Sequence, residues 1–146
     1  MKPIVKSYLT EINLGQSAPG NGQNINFQDY AELRDIYITG IECFAAGQVT
    51  QSPSGRTVVT PLTGIALTLM DIFNMENIKS YPAYDLNPSN VDGFYRDFQP
   101  FRLQLTKSYL TVLDNTGLNA GESVIFNIFY VKAADWPKYQ ALYVRK

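Results

Sequence analysis

The chain has no histidine and a single cysteine, and only 17% of its 146 residues are charged. Without histidine, the usual general base near neutral pH and the commonest metal ligand are both missing. A Ser-His-Asp or Cys-His catalytic set therefore has no base to build on. One cysteine, Cys43, forbids an intrachain disulfide, so the fold does not depend on an oxidising compartment. The charged fraction lies well below the roughly 25% usual for soluble globular chains. Twelve basic residues face 13 acidic ones, for a net charge of −1, which leaves no basic excess to neutralise phosphates. Nucleic-acid binding through a basic surface is excluded on that ground. No segment approaches the roughly 18 uninterrupted apolar residues of a membrane span. The N-terminus carries Lys2 but no apolar core after it, so no signal peptide is visible.

What is present is apolar and aromatic material, at 45% and 13% of the chain. That excludes disorder and suffices for one domain with its own core. Hydrophobic periodicity is almost everywhere of period 2. Ile4 to Leu14 reads as a first strand, and Gly15 to Gly22 as a mobile turn or hinge rich in Gly and Pro. From Leu33 to Ala46 the apolar set changes phase, from Ile36 and Ile38 to Ile41, Cys43 and Ala45. The change falls at Gly40, as a β-bulge requires. Arg56 to Thr60 and Thr63 to Asn74 are the next strands, the latter with Ile65, Leu67 and Leu69 on one face. An irregular aromatic stretch runs from Tyr81 to Pro100. Phe101 to Leu105 and Ser108 to Asp114 follow as strands, then Glu122 to Ala133, apolar on both faces. The expectation for the C-terminus is a short strand over Ala141 to Arg145 after a turn at Trp136-Pro137.

Roughly eight or nine short strands with turn-rich connections predict an all-β, antiparallel two-sheet sandwich. A jelly roll is the expected topology, with an immunoglobulin-like arrangement as its nearest competitor; unequal strand lengths and the long Tyr81 to Pro100 excursion favour the former. The domain plan is an N-terminal arm and hinge over residues 1–22 and a sandwich over residues 23–146.

Catalytic equipment is short. Cys43 sits on an alternating apolar strand and reads as a small buried hydrophobe. No phosphate-cradling glycine motif occurs. The segment Asp85 to Gly93 offers oxygen ligands at alternate positions, yet Asn90 replaces the glycine a calcium loop needs and Arg96 stands where its last carboxylate belongs. Neither a catalytic residue, a metal site nor a cofactor is assigned, and no enzymatic activity is expected. The carboxylates Asp29, Glu32 and Asp35, and Asp92 with Asp97, read as solvated turn residues.

The aromatics Tyr81, Tyr84, Phe94, Tyr95, Phe98 and Phe101 admit three roles: covering their own sandwich, packing on a neighbouring subunit, or stacking on a sugar. Arg96 and Arg102 among them are of the type enriched at interface centres. A strand apolar on both faces, such as that bearing Phe129, needs two covers, and one is often another subunit.

Together, the extended N-terminal segment, the Gly15 to Gly22 hinge, the strand Asp35-Ile36-Tyr37-Ile38-Thr39-Gly40-Ile41-Glu42, and the late strand Ser123-Val124-Ile125-Phe126-Asn127-Ile128-Phe129-Tyr130 resemble a small virion protein. The resemblance is to the single jelly-roll penton or minor capsid proteins of tailless icosahedral bacteriophages. It implies a structural role in the capsid, five copies forming a vertex ring, an arm touching neighbouring major capsid subunits, and no catalysis. On this reading Tyr8 and Ile12 of the arm, Tyr84, Phe94, Tyr95, Arg96 and Phe98 of the aromatic stretch, and Phe129 are the candidate subunit-contact residues. The arm pairs either with a neighbour's sheet or with its own. The alternative function is a carbohydrate- or receptor-binding β-sandwich module that uses the aromatic stretch.

Overall fold

The computed structural model describes residues 5–14, 19–45, 64–87, 99–115 and 123–143. Among these the chain forms β1 (Lys6–Asn13), β2 (Asn24–Asn26), β3 (Ile36–Ala45), β4 (Ile65–Met70), β5 (Glu76–Pro82), β6 (Phe101–Arg102), β7 (Tyr109–Val112), β8 (Ser123–Lys132) and one helix, α1 (Trp136–Tyr143). The strands make two four-stranded sheets, ordered β1-β8-β3-β6 and β2-β7-β4-β5. Every pairing is antiparallel. The protein is an all-β sandwich.

The placement of β8 follows from its sequence. Val124, Phe126, Ile128 and Tyr130 are buried on one face, while Ile125, Asn127 and Phe129 on the other are half-buried. A strand of that composition belongs in a sheet's interior, and β8 lies between β1 and β3. The phase change in β3 is a bulge: Ile38 pairs with Tyr130, but Gly40 pairs with Phe129, leaving Thr39 as the extra residue. That insertion keeps Ile36 and Ile38 before it and Ile41 and Cys43 after it all in the core. Ile65, Leu67, Leu69, Leu110 and Val112 of the second sheet belong to the same cluster. Each such fully buried side chain contributes roughly 1.5–3 kcal/mol.

Four expectations need correction. The strand placed over Ala141 to Arg145 is not one, since Ala141 and Tyr143 lie in α1 and residues 144–146 fall outside the described set. Pro137 is the second residue of that helix, where its missing N–H is not needed and its fixed φ suits the first turn. Tyr81 and Pro82 are not irregular but close β5, whose partly exposed edge pattern lacks strict alternation. The strand expected from Thr63 to Asn74 stops at Met70, and a turn follows. The one expected from Phe101 to Leu105 pairs only over Phe101–Arg102, and Leu105–Lys107 form a 3₁₀ turn.

The N-terminal strand pairs with β8 of its own chain along its whole length, from Lys6 with Tyr130 to Asn13 with Ser123. The described part of the Gly-rich hinge is tied down rather than loose. Gly22 N–H donates to the Val112 carbonyl at 2.6 Å, and the Asn115 amide donates to the Pro19 carbonyl at 3.1 Å. The strand expected over Arg56 to Thr60, the turn at Gln51 to Gly55 and residues 88–98 of the aromatic stretch lie outside the described residues.

Candidate functional site

Of the residues expected to meet other subunits, three pack on their own core. Ile12 is buried among the core side chains. Tyr8 is half-buried and packs edge-on against Tyr30, ring centroids 5.6 Å apart. Tyr84 follows Pro82 in a 3₁₀ turn over Ala83–Leu86 and packs against the core, as do Tyr81 and Phe101. Phe129 is half-buried on the outer face of β8, opposite Ser7 of β1. Phe94, Tyr95, Arg96 and Phe98 lie outside the described residues. The side chain that β1 turns outward as an apolar surface is Leu9, 53% exposed.

The edge of β1 is guarded. The Tyr30 hydroxyl accepts a hydrogen bond from Glu11 N–H and donates one to the Glu11 carbonyl, both at 3.2 Å. Such a clasp limits strand addition at that position. Cys43 is fully buried, and desolvation pushes its thiol well above the usual range, which makes it an inert core residue. Among the described residues no three His, Cys, Asp or Glu side chains gather as a metal ion would require. No described helix is long and apolar enough to cross a membrane.

Asp29, Glu32 and Asp35 each have a side-chain partner. Asp29 takes a bidentate contact from Arg34, whose hydrogen bond holds the carboxyl below its usual value. Asp35 pairs with Arg102 at 3.0 Å. Glu32 accepts from the Tyr130 hydroxyl at 3.3 Å, and burial first, then the Glu32 charge, raises that phenol.

The two ion pairs, Asp29 with Arg34 and Asp35 with Arg102, border a cleft of about 290 Å³ where the two sheets meet at one corner. Its floor is Leu33, Leu103 and Leu105, and its walls carry Tyr30, Arg34, Arg102, Gln104 and Ile72. The backbone builds the corner from both sheets: Leu103 N–H donates to the Ile36 carbonyl, and Ile72 N–H to the Arg102 carbonyl. Two buried polar atoms of the cleft residues, Arg102 Nε and Gln104 Oε1, lack a hydrogen-bond partner among the described residues. Unsatisfied groups of this kind are uncommon in a complete native structure.

Beside the cleft stands the turn between β4 and β5, which the sequence reading placed inside a strand. Asp71 organises it. Its carboxylate accepts from the backbone N–H groups of Phe73 at 2.8 Å and Met75 at 3.0 Å, and from the Asn77 side chain. Asn74 takes a positive φ of 61° at the tip. The result is a fixed turn that presents Ile72, Phe73 and Met75 to solvent, with Phe73 76% exposed. The Asp71 to Asn74 spacing is turn chemistry that sequence reasoning had available, masked by the apolar residues between.

Next to the same corner, on Tyr37, which pairs with Arg102, α1 is held by stacking. The Trp136 ring lies 4.0 Å from Tyr37 at 5° and 5.3 Å from Tyr139 at 18°. The fold and these surfaces define a β-sandwich with exposed apolar side chains on the β4–β5 turn and two ion pairs at the corner cleft. No family model, curated protein or solved structure matches the chain.

Proposed function

We propose that this chain is a structural virion protein, a single jelly roll that assembles with copies of itself and with neighbouring capsid subunits at a vertex. The observation that carries the reading is the pairing scheme. β1 pairs with β8, β2 with β7, β3 with β6, and β4 with β5. That is the scheme of one long antiparallel ribbon folded at its middle. The further pairs β3 with β8 and β4 with β7 are those formed when the ribbon is wound into a barrel-like sandwich. An immunoglobulin-like order does not produce this set of four nested pairs.

A jelly roll hosts several functions, so the step to a capsid rests on the sequence resemblance and on surface chemistry. Identical subunits packed around an axis must meet without like-charge repulsion, and a net charge of −1 suits that. Exposed Leu9, Phe73, Met75 and Leu142 supply apolar contact surface that the isolated chain leaves in water. The proposed role needs no catalysis, no cofactor and no nucleic acid, and it places the protein in the virion.

Native mass spectrometry across a concentration series tests the reading. Discrete oligomers are expected, with a ring of five as the end state the resemblance implies. A strict monomer at every concentration would overturn it.

A further inference from the structure

We infer that Asn21 is a self-modification site: once its turn opens, the side chain deamidates through the Gly22 backbone nitrogen, and the folded turn holds that reaction off. Among the asparagines of the chain, only Asn21 is followed by glycine. Glycine has no Cβ to shield its nitrogen or restrict its rotation, so this dipeptide closes a five-membered ring readily. The step balances with water as the only co-reactant. The Gly22 N–H gives its proton to solvent base, the nitrogen bonds to Asn21 Cγ, and the Cγ–Nδ2 bond breaks as Nδ2 takes a proton and leaves as ammonia. Water then opens the succinimide at either carbonyl, which leaves aspartate or isoaspartate at position 21.

The fold needs both residues and keeps their reacting atoms apart. Each is exposed, so water reaches them. Gly22 has a φ of 85°, Asn21 has no positive φ, and Gln23 N–H closes the turn on the Gly20 carbonyl at 3.1 Å. That is the pattern of a type II turn, which wants glycine in its third place. The second residue of such a turn has a ψ of about +120°, which points Cβ away from the next nitrogen. Ring closure instead brings Cβ and that nitrogen nearly into eclipse about the Cα–C bond. Rotating between the two arrangements pulls Gly22 N–H off the Val112 carbonyl, 2.6 Å away, and breaks the Gln23 bond. The carboxamide is held as well, because its Oδ1 accepts from Asn115 N–H at 2.8 Å. That donor polarises Cγ, but a polarised carbon turned away from its nucleophile does not react. Three hydrogen bonds must therefore be released together. At a net factor of about five each, the folded turn slows the reaction about a hundredfold.

The consequence lies in the connection from β1 to β2. Val112 N–H donates to the Gln23 carbonyl at 2.9 Å, so this turn is the entry to the β2–β7 ladder. Isoaspartate routes the main chain through Cβ and adds one atom to the turn, so the Gly22 and Gln23 bonds no longer re-form in register. Either product adds a negative charge to a chain whose net charge is −1. An opening of the turn is thus recorded irreversibly. The inference does not depend on the vertex reading.

Peptide mapping of the full-length chain at mildly alkaline pH tests it, with isoaspartate resolved by chromatography and hydrogen exchange followed at the Gly22 amide. In unfolding guanidinium chloride, Asn21 should be the first asparagine modified, and in buffer alone it should react about a hundredfold more slowly. Through lower guanidinium concentrations, deamidation and Gly22 exchange should rise together, because one local opening releases both. Asn115→Ala removes the side-chain bond to the Pro19 carbonyl and should speed both rates by about fivefold. The guanidinium series on wild type needs no variant, so it decides the matter whether or not Asn115→Ala folds. A native chain that deamidates at the unfolded rate overturns the inference. So does an unfolded chain in which another asparagine reacts first, or either rate rising without the other.

Discussion

At the scale of single residues, Asp71 does more than any other described carboxylate to shape a surface. The Met75 amide above all, with Asn77 and Phe73, favours its ionised form and depresses its pKa, against a smaller opposing effect of desolvation. A depressed carboxylate stabilises the folded turn above its unfolded pKa and loses that contribution as pH falls through the lower, folded value. Amide exchange at Phe73 and Met75 should therefore be protected from neutral pH down past about 3.9, the ordinary aspartate value, and accelerate only in stronger acid. Asp71→Ala should show the acid behaviour already at neutral pH. Unchanged protection in that variant would contradict the role given to the carboxylate. Gly64 presents a different constraint: a Cβ there would lie 2.0 Å from the Asp114 carbonyl oxygen, and its own carbonyl accepts from Leu113 and Asp114. Gly64→Ala should lower stability by about 1–3 kcal/mol in urea unfolding, the usual effect of overpacking against backbone. Cys43 was legible in the sequence because period 2 assigns it to the inner face. The Asp71 cap was not, because three of its acceptor contacts exist only once the turn has closed.

At the scale of elements, the sequence was most informative where a strand is buried on at least one face. The bulge at Gly40 and the two-sided apolar character of β8 could be read directly, since burial imposes a strict period on side-chain chemistry. β5 could not. Glu76–Pro82 is an edge strand carrying Glu, Asn, Lys and a terminal Pro, its side chains mostly in water, so its pairing with β4 leaves no periodic trace. The helix α1 was misread because Ala141 to Arg145 has strand-like composition and Pro137 looks like a breaker. Eight residues are too few for a stable isolated helix. Its order comes from the stack of Trp136 between Tyr37 and Tyr139. Trp136→Ala should remove two aromatic contacts of about 0.5–1.5 kcal/mol each beyond area burial. Exchange protection over residues 136–143 should then vanish while β3 and β8 keep theirs. Global unfolding at the same midpoint with α1 still protected would contradict this account of the helix.

For the whole molecule, the nested pairing of first strand with last and second with seventh is the central architectural fact. None of it was visible locally. Thr10 bonds to Phe126 across 116 positions of sequence, and no propensity or turn signal encodes such a partner. The candidate site was hidden for the same reason: the cleft joins residues 29–35 to residues 102–106, brought together only by sandwich closure. Composition, by contrast, spoke about the whole from the start. A chain poor in charge, with an ordinary apolar share, fills one core and still exposes Leu9, Phe73, Met75 and Leu142. The proposed explanation is that other subunits cover this surface in an assembled shell. Electron cryomicroscopy of purified particles tests that most directly. The account predicts density for this sandwich at a vertex, its apolar outer positions in contact with neighbouring subunits. Particles whose vertices are built entirely from other chains, with none of this one bound, would contradict it.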